Sequence, residues 1–204
     1  MSRAFLSAMF VLVIGPESFA HRLDEYLQTA RVSLERGRIG IEIDLTPGAS
    51  IATAIIMRLD RNGDGRISPL EARAYGEDVL SDLIVEFDGA PVRVTLTRVE
   101  VPSLADMHEG LGAIRVQASS EVGPVMAGRH RVHLRNHHAP APSVYLVNAL
   151  VPDDRNIDVI AQTRDPRQQE VRIDYNVRSR WLVQLASIAA AVAVCGGLVW
   201  LRGN

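Results

Sequence analysis

Along most of the chain apolar and polar side chains alternate with a period of two, the signature of strands with one buried and one wet face. Ala30, Val32 and Leu34 lead into the turn-like Glu35-Arg36-Gly37-Arg38 and then into Ile39, Ile41, Ile43 and Leu45, which predicts a half-buried hairpin. Asp88-Gly89 separates the run 84–87 from Val92, Val94 and Leu96, whose intervening Arg93, Thr95 and Thr97 would face solvent, and this predicts a second hairpin. Segments 111–118, 129–136, 143–151, 156–163 and 170–177 read as further strands. The set, about nine short strands, predicts a mainly β fold of the β-sandwich type. With no internal repeat and no long linker, residues 21–177 are expected to form one unit.

One stretch breaks this rhythm. Ser50 can cap a helix carrying Ala52, Ile55, Ile56 and Leu59 on one face, and Pro69 opens a second helix running to about Leu83 with Ala72, Tyr75, Val79, Leu80 and Leu83 on one face. A helix-loop-helix over 50–83 is therefore expected as an insertion between strands.

The ends are patterned differently again. Met1-Ser2-Arg3, the apolar run from Ala4 to Ile14 and the small residues before Ala20 predict a signal peptide over 1–20. Trp181 to Leu201 contains no charged residue and would measure about 30 Å as a helix, the thickness of a bilayer core, so 181–201 is expected to span a membrane with 202–204 as a short tail. Trp181 and Trp200 mark the two interfaces, and the small residues from Ala189 to Gly197 would permit helix pairing. These segments together predict an exported domain on the periplasmic side, anchored to the cytoplasmic membrane, with a membrane or periplasmic protein as a possible partner. Cys195 is the only cysteine, so the domain has no disulfide to stabilise it.

Composition narrows the function. A formal charge of -2 and 5% aromatic residues supply neither the basic footprint nor the stacking platform of a nucleic-acid binder. No nucleophile elbow, zinc-protease helix or phosphate-cradling glycine loop is present, so no enzyme activity is expected.

The chemistry lies between the two predicted helices, in Asp60-Arg61-Asn62-Gly63-Asp64-Gly65-Arg66-Ile67-Ser68-Pro69-Leu70-Glu71. A hard cation needs oxygen ligands at fixed spacing. Asp60, Asn62 and Asp64 supply them at loop positions 1, 3 and 5, and Gly65 at position 6 permits the sharp turn. Arg66 offers its backbone carbonyl at position 7, Ser68 occupies the position where a water often intervenes, and Glu71 can close the shell with two oxygens at position 12. The calcium ion is therefore the expected ligand. Ser68-Pro69-Leu70-Glu71 also reads as a capping box with Pro at N1, which accounts for Ser68 and Glu71 but not for the three oxygen-bearing side chains at 60, 62 and 64.

The segment resembles the EF-hand calcium-binding family. The resemblance implies seven-coordinate Ca²⁺ with the roles just given, and Leu59, Ile67 and Leu70 match the family's apolar positions. EF-hands usually come in pairs joined through position 8. This chain has one, so Ile67 requires another neighbour, either the sandwich or a second copy.

Histidines offer an alternative: His21, the mature N-terminus after cleavage, and His130, His133, His137 and His138 could serve a nickel or copper accessory role. On an extended strand His130 shares the Val132 and Leu134 face while His133 lies with Arg131 and Arg135, which argues against convergence. The opening His21-Arg22-Leu23-Asp24-Glu25-Tyr26-Leu27 and the segment from Arg135 to His138 and Ser143 to Pro152 resemble uncharacterised exported bacterial proteins. Those are similar in turn to the extracytoplasmic domain of hydrogenase/urease accessory-type nickel permeases. One anchor helix cannot form their transport path, so the resemblance implies an accessory or partner role at most.

Overall fold

The computed structural model describes residues 24–138 and 142–179. The signal peptide expected over 1–20, His21 and the membrane span expected over 181–201 lie outside the described residues. Among the described residues no helix is long and apolar enough to cross a membrane.

The fold is mainly β, with two sheets. In chain order its elements are β1 (Tyr26–Glu35), β2 (Arg38–Pro47), α1 (Ala49–Leu59), α2 (Pro69–Ser81), β3 (Leu83–Phe87), β4 (Ala90–Pro91) and β5 (Thr95–Glu100). There follow α3 (Leu104–His108), β6 (Ile114–Glu121), β7 (Gly128–Asn136), β8 (Ser143–Ala149), β9 (Ile157–Arg164) and β10 (Glu170–Val177). One sheet has the order β5-β6-β2-β1-β8 and the other β4-β3-β7-β10-β9. All neighbouring pairs are antiparallel except β1 and β8.

The β1–β2 hairpin shows why the first sheet forms. Its burial alternates residue by residue, so Ala30, Val32, Leu34, Ile39, Ile41, Ile43 and Leu45 all point inward, while Arg31, Glu42 and Asp44 pair on the outer face. The inner faces of both sheets meet in one core, where Val32, Ile43 and Val116 join Val132, Leu134 and Ile173. Each such aliphatic side chain contributes about 1.5–3 kcal/mol by leaving water. Ile55, Leu59 and Val79 bring the two longer helices into the same core.

Hydrogen bonds fix which end of the sheets is which. At one pole β2 ends at Pro47 opposite Tyr26, β3 begins at Leu83 opposite Asn136, and Asn136 Nδ2 donates to Gln28 Oε1 at 2.9 Å. The chain leaves for α1 and returns from α2 at this pole. At the other, Val177 pairs with Gly128 and Ile157, and the Val122 N–H donates to the Gly37 carbonyl at 2.8 Å.

Several boundaries differ from the sequence expectation. There are ten strands among the described residues where about nine were expected. The Asp88-Gly89 turn does form, with both residues at positive φ, but the arm that returns along β3 is only the two-residue β4, after which the chain crosses to the other sheet as β5. Alternation of half-buried Val92, Val94 and Leu96 with exposed Arg93, Thr95 and Thr97 continues straight through the crossing, which is why it read as one hairpin arm. Gly48, not Ser50, is the N-cap of α1 and makes no side-chain cap bond, so Ser50 is a helical residue. α2 stops at Ser81, and Leu83 is the first residue of β3. The short helix α3, capped by Ser103 accepting from the Asp106 N–H, was not anticipated.

Candidate metal centre

α1 ends at Leu59 and α2 begins at Pro69, so residues 60–68 form the connecting loop and Glu71 sits in the first turn of α2. Two glycines set its path. Gly63 has φ +73 and Gly65 φ +76, a left-handed conformation that L side chains rarely adopt.

Asp60 organises the first half of the loop. Its Oδ1 accepts the Gly63 and Asp64 N–H groups at 2.8 and 3.1 Å, and its Oδ2 accepts the Gly65 N–H at 2.8 Å. Asn62 Oδ1 accepts the Asp64 N–H at 2.8 Å and its amide donates to Asp64 Oδ2 at 3.1 Å. Asp64 Oδ1 accepts the Arg66 N–H at 2.9 Å.

Glu71 closes the second half. Its Oε1 reaches back across the loop to the Arg61 and Asn62 N–H groups at 3.0 and 3.2 Å. Its Oε2 accepts the Ser68 N–H at 2.9 Å and the Ser68 hydroxyl at 2.7 Å, while the Glu71 N–H donates back to Ser68 Oγ at 3.3 Å. The capping box predicted from Ser68 and Glu71 is thus present, and one carboxylate serves both the cap and the loop closure. These donors lower the Glu71 pKa, the Ser68 hydroxyl most, then the Ser68 N–H, and then the Asn62 and Arg61 N–H groups, against desolvation.

Asp60, Asn62, Asp64, Ser68 and Glu71 therefore accept from the loop's own donors. Glu71 accepts four hydrogen bonds on two oxygens, which fills the acceptor capacity of a carboxylate. Among the described residues no three His, Cys, Asp or Glu side chains are gathered closely enough to hold a metal ion, and this includes Asp60, Asp64 and Glu71. The donor set is nonetheless of the right chemistry for a hard cation, since every side chain at positions 1, 3, 5 and 12 bears oxygen. Three carboxylates outnumber the two guanidinium groups of the loop, and Arg61 is turned away to pair with Asp78 on α2 at 2.7 Å.

Ile67 is half-buried and packs against the protein's own core, so its neighbour is within the chain. Below it α2 is keyed to the sheets by contacts that no local pattern announces. The Tyr75 hydroxyl lies 2.7 Å from that of Tyr26 on β1, both rings being fully buried. Asp82, the C-cap of α2, holds His138 Nδ1 at 2.7 Å, and the His138 ring meets both tyrosines edge-on. Gly76 lets α2 approach β5 so closely that a Cβ there would lie 2.5 Å from Val99 Cγ2.

Among the described residues the histidines are not brought together. His130 pairs with Asp88 at 2.7 Å and stacks on Phe87, His133 lies between Glu86 and Glu170 at 3.5 and 3.2 Å, His138 is buried beside Asp82, and His137 is exposed. The rings of His130, His133 and His138 are thus held by different carboxylates. No protein-family model matches the chain, and no curated protein matches it in sequence.

Proposed function

We propose that this chain is an exported, membrane-anchored β-sandwich protein whose inserted helix-loop-helix is an EF-hand-type site for one Ca²⁺. Asp60, Asn62, Asp64, the Arg66 carbonyl, Ser68 through a water, and Glu71 would hold the ion, and 181–201 would anchor the domain on the periplasmic side. The observation that carries this reading is the reach of Glu71 back to the Arg61 and Asn62 N–H groups, which joins the last loop position to the first ones. A helix cap alone needs only the Ser68 half of that pattern. To bind bidentately Glu71 would exchange donor bonds for the cation, a trade between loop N–H groups and a divalent charge.

The ion's role is structural. Extracytoplasmic sites bind at roughly 10⁻⁴–10⁻³ M. Calcium there does not pulse as it does in a signalling compartment. For a dissociation constant of about 0.1 mM, about 1 mM Ca²⁺ stabilises the folded state by about 1.4 kcal/mol. The domain then serves as an interaction module held in shape by the ion. Glu71→Gln should lower the melting temperature in calcium more than in chelator, because only in calcium does it also remove a ligand. Equal losses in the two buffers would mean that Glu71 acts as a cap and not as a ligand.

A further inference from the structure

The pole of the sheets opposite the helical insertion is tied to the end of the described chain. The Arg178 N–H donates to the Asn156 carbonyl at 2.7 Å, Arg36 Nη2 donates to the Arg178 carbonyl at 2.8 Å, and the Arg178 guanidinium pairs with Asp158 at 2.7 Å. Arg36 also pairs with Asp154 at 3.1 Å, so the 35–38 turn and the 150–156 loop are fastened to the same point. Trp181 begins the uncharged run only three residues later. Three residues reach at most about 10 Å.

We infer that this pole rests on the bilayer surface, with the 122–127 and 150–156 loops in the headgroup layer. The inference rests on the proposed membrane span over 181–201. Given that span, the tether leaves almost no slack, because the headgroup layer on each side of a bilayer is itself about 5–8 Å thick. The loops beside Arg178 carry the side chains such a contact needs. Val151 is 90% and Met126 76% exposed, Leu150 is also exposed, and exposed Arg155 can extend its guanidinium to lipid phosphates while its stem lies along apolar surface. The two helices that carry the 60–71 loop join the sheets at the opposite pole. β1 runs from the helical pole to the tethered pole, and its ten residues cover about 33 Å.

The test uses the full chain with Cys195→Ala, reconstituted in phosphatidylcholine/phosphatidylglycerol vesicles, bearing one cysteine at a time with a polarity-sensitive fluorophore. Labels replace Val151 and Met126 at the tethered pole, and Met57 and Leu70 on the helical insertion. The latter two side chains are 72% and 79% exposed, so exposure alone does not separate the pairs. Labels at 151 and 126 should be quenched severalfold more by lipid-borne nitroxides, and less by iodide, than labels at 57 and 70. Equal quenching at all four sites in protein that survives an alkaline wash would overturn the contact while leaving the anchor intact. Release of the protein by the wash would overturn the anchor itself.

Discussion

Removing one hydroxyl from the buried tyrosine pair should destabilise the protein more than removing both. Tyr26 and Tyr75 are joined at 2.7 Å between β1 and α2, with no exposed surface on the Tyr26 ring and 1% on Tyr75. Tyr75→Phe keeps the ring in place but leaves the Tyr26 hydroxyl without its partner in a dry site, which costs about 1–3 kcal/mol. Tyr26→Phe does the same in reverse. The double variant exposes no such orphan, since an apolar pair of similar shape can be nearly neutral, so its loss should be smaller than either single loss. For a protein of this size about 1 kcal/mol shifts the midpoint by about 2–4 °C, which predicts a drop of about 2–12 °C for each single variant. Burial raises the pKa of both phenols, that of Tyr26 also through Tyr75, so the pair stays protonated and the result should not change between pH 6 and 8. The assay is urea unfolding of the four proteins with a common m-value, closed as a double-mutant cycle. Single losses that simply add in the double variant would refute the pairing as the link between α2 and the sheets.

Other consequences follow from the same contacts. Gly76→Ala gains about 1 kcal/mol of helix propensity but inserts a methyl 2.5 Å from Val99 and 3.2 Å from Leu96, an overpacking worth about 1–3 kcal/mol, so denaturant titration should show a net loss. A stabilised variant would contradict the close approach of α2 to β5. Ser68→Ala should cost about 0.5–2 kcal/mol in chelator, read by thermal melting, because it removes the side-chain half of the cap. Acid should destabilise the fold through His138, whose pKa is lowered by desolvation despite the opposing pull of Asp82. The unfolded state then takes up the proton first, so stability falls as pH drops below about 6.5 and levels off beneath the folded-state pKa. Melting curves between pH 7.5 and 5 should show this slope, and His138→Gln should flatten it.

Patterns confined to one element were legible in the sequence, and patterns between elements were not. Ile39, Ile41, Ile43 and Leu45 announced β2 because a period of two has a single physical meaning over ten residues. The same period misled at 92–96, where the chain changes sheets without changing which side faces inward. Gly48 displaced Ser50 as the cap because the chain turns out of β2 earlier, with the Gly48 N–H donating to the Glu25 carbonyl at 2.8 Å. In the loop, the oxygen spacing and the cap were readable, but the neighbour of Ile67 and the tyrosine pair span the fold and leave no local trace. The opposite facing of His130 and His133 followed from strand geometry alone, whereas their separate carboxylate partners required the tertiary structure.

The proposed function turns on whether the 60–71 loop takes up a cation. Calorimetric titration of the full chain in detergent with Ca²⁺, followed by Ni²⁺ and Cu²⁺, tests this most directly. One calcium equivalent with a dissociation constant on the order of 10⁻⁴–10⁻³ M is expected, abolished by Asp60→Ala and unaffected by His133→Ala. Absence of calcium uptake, or uptake that survives Asp60→Ala, would contradict the account.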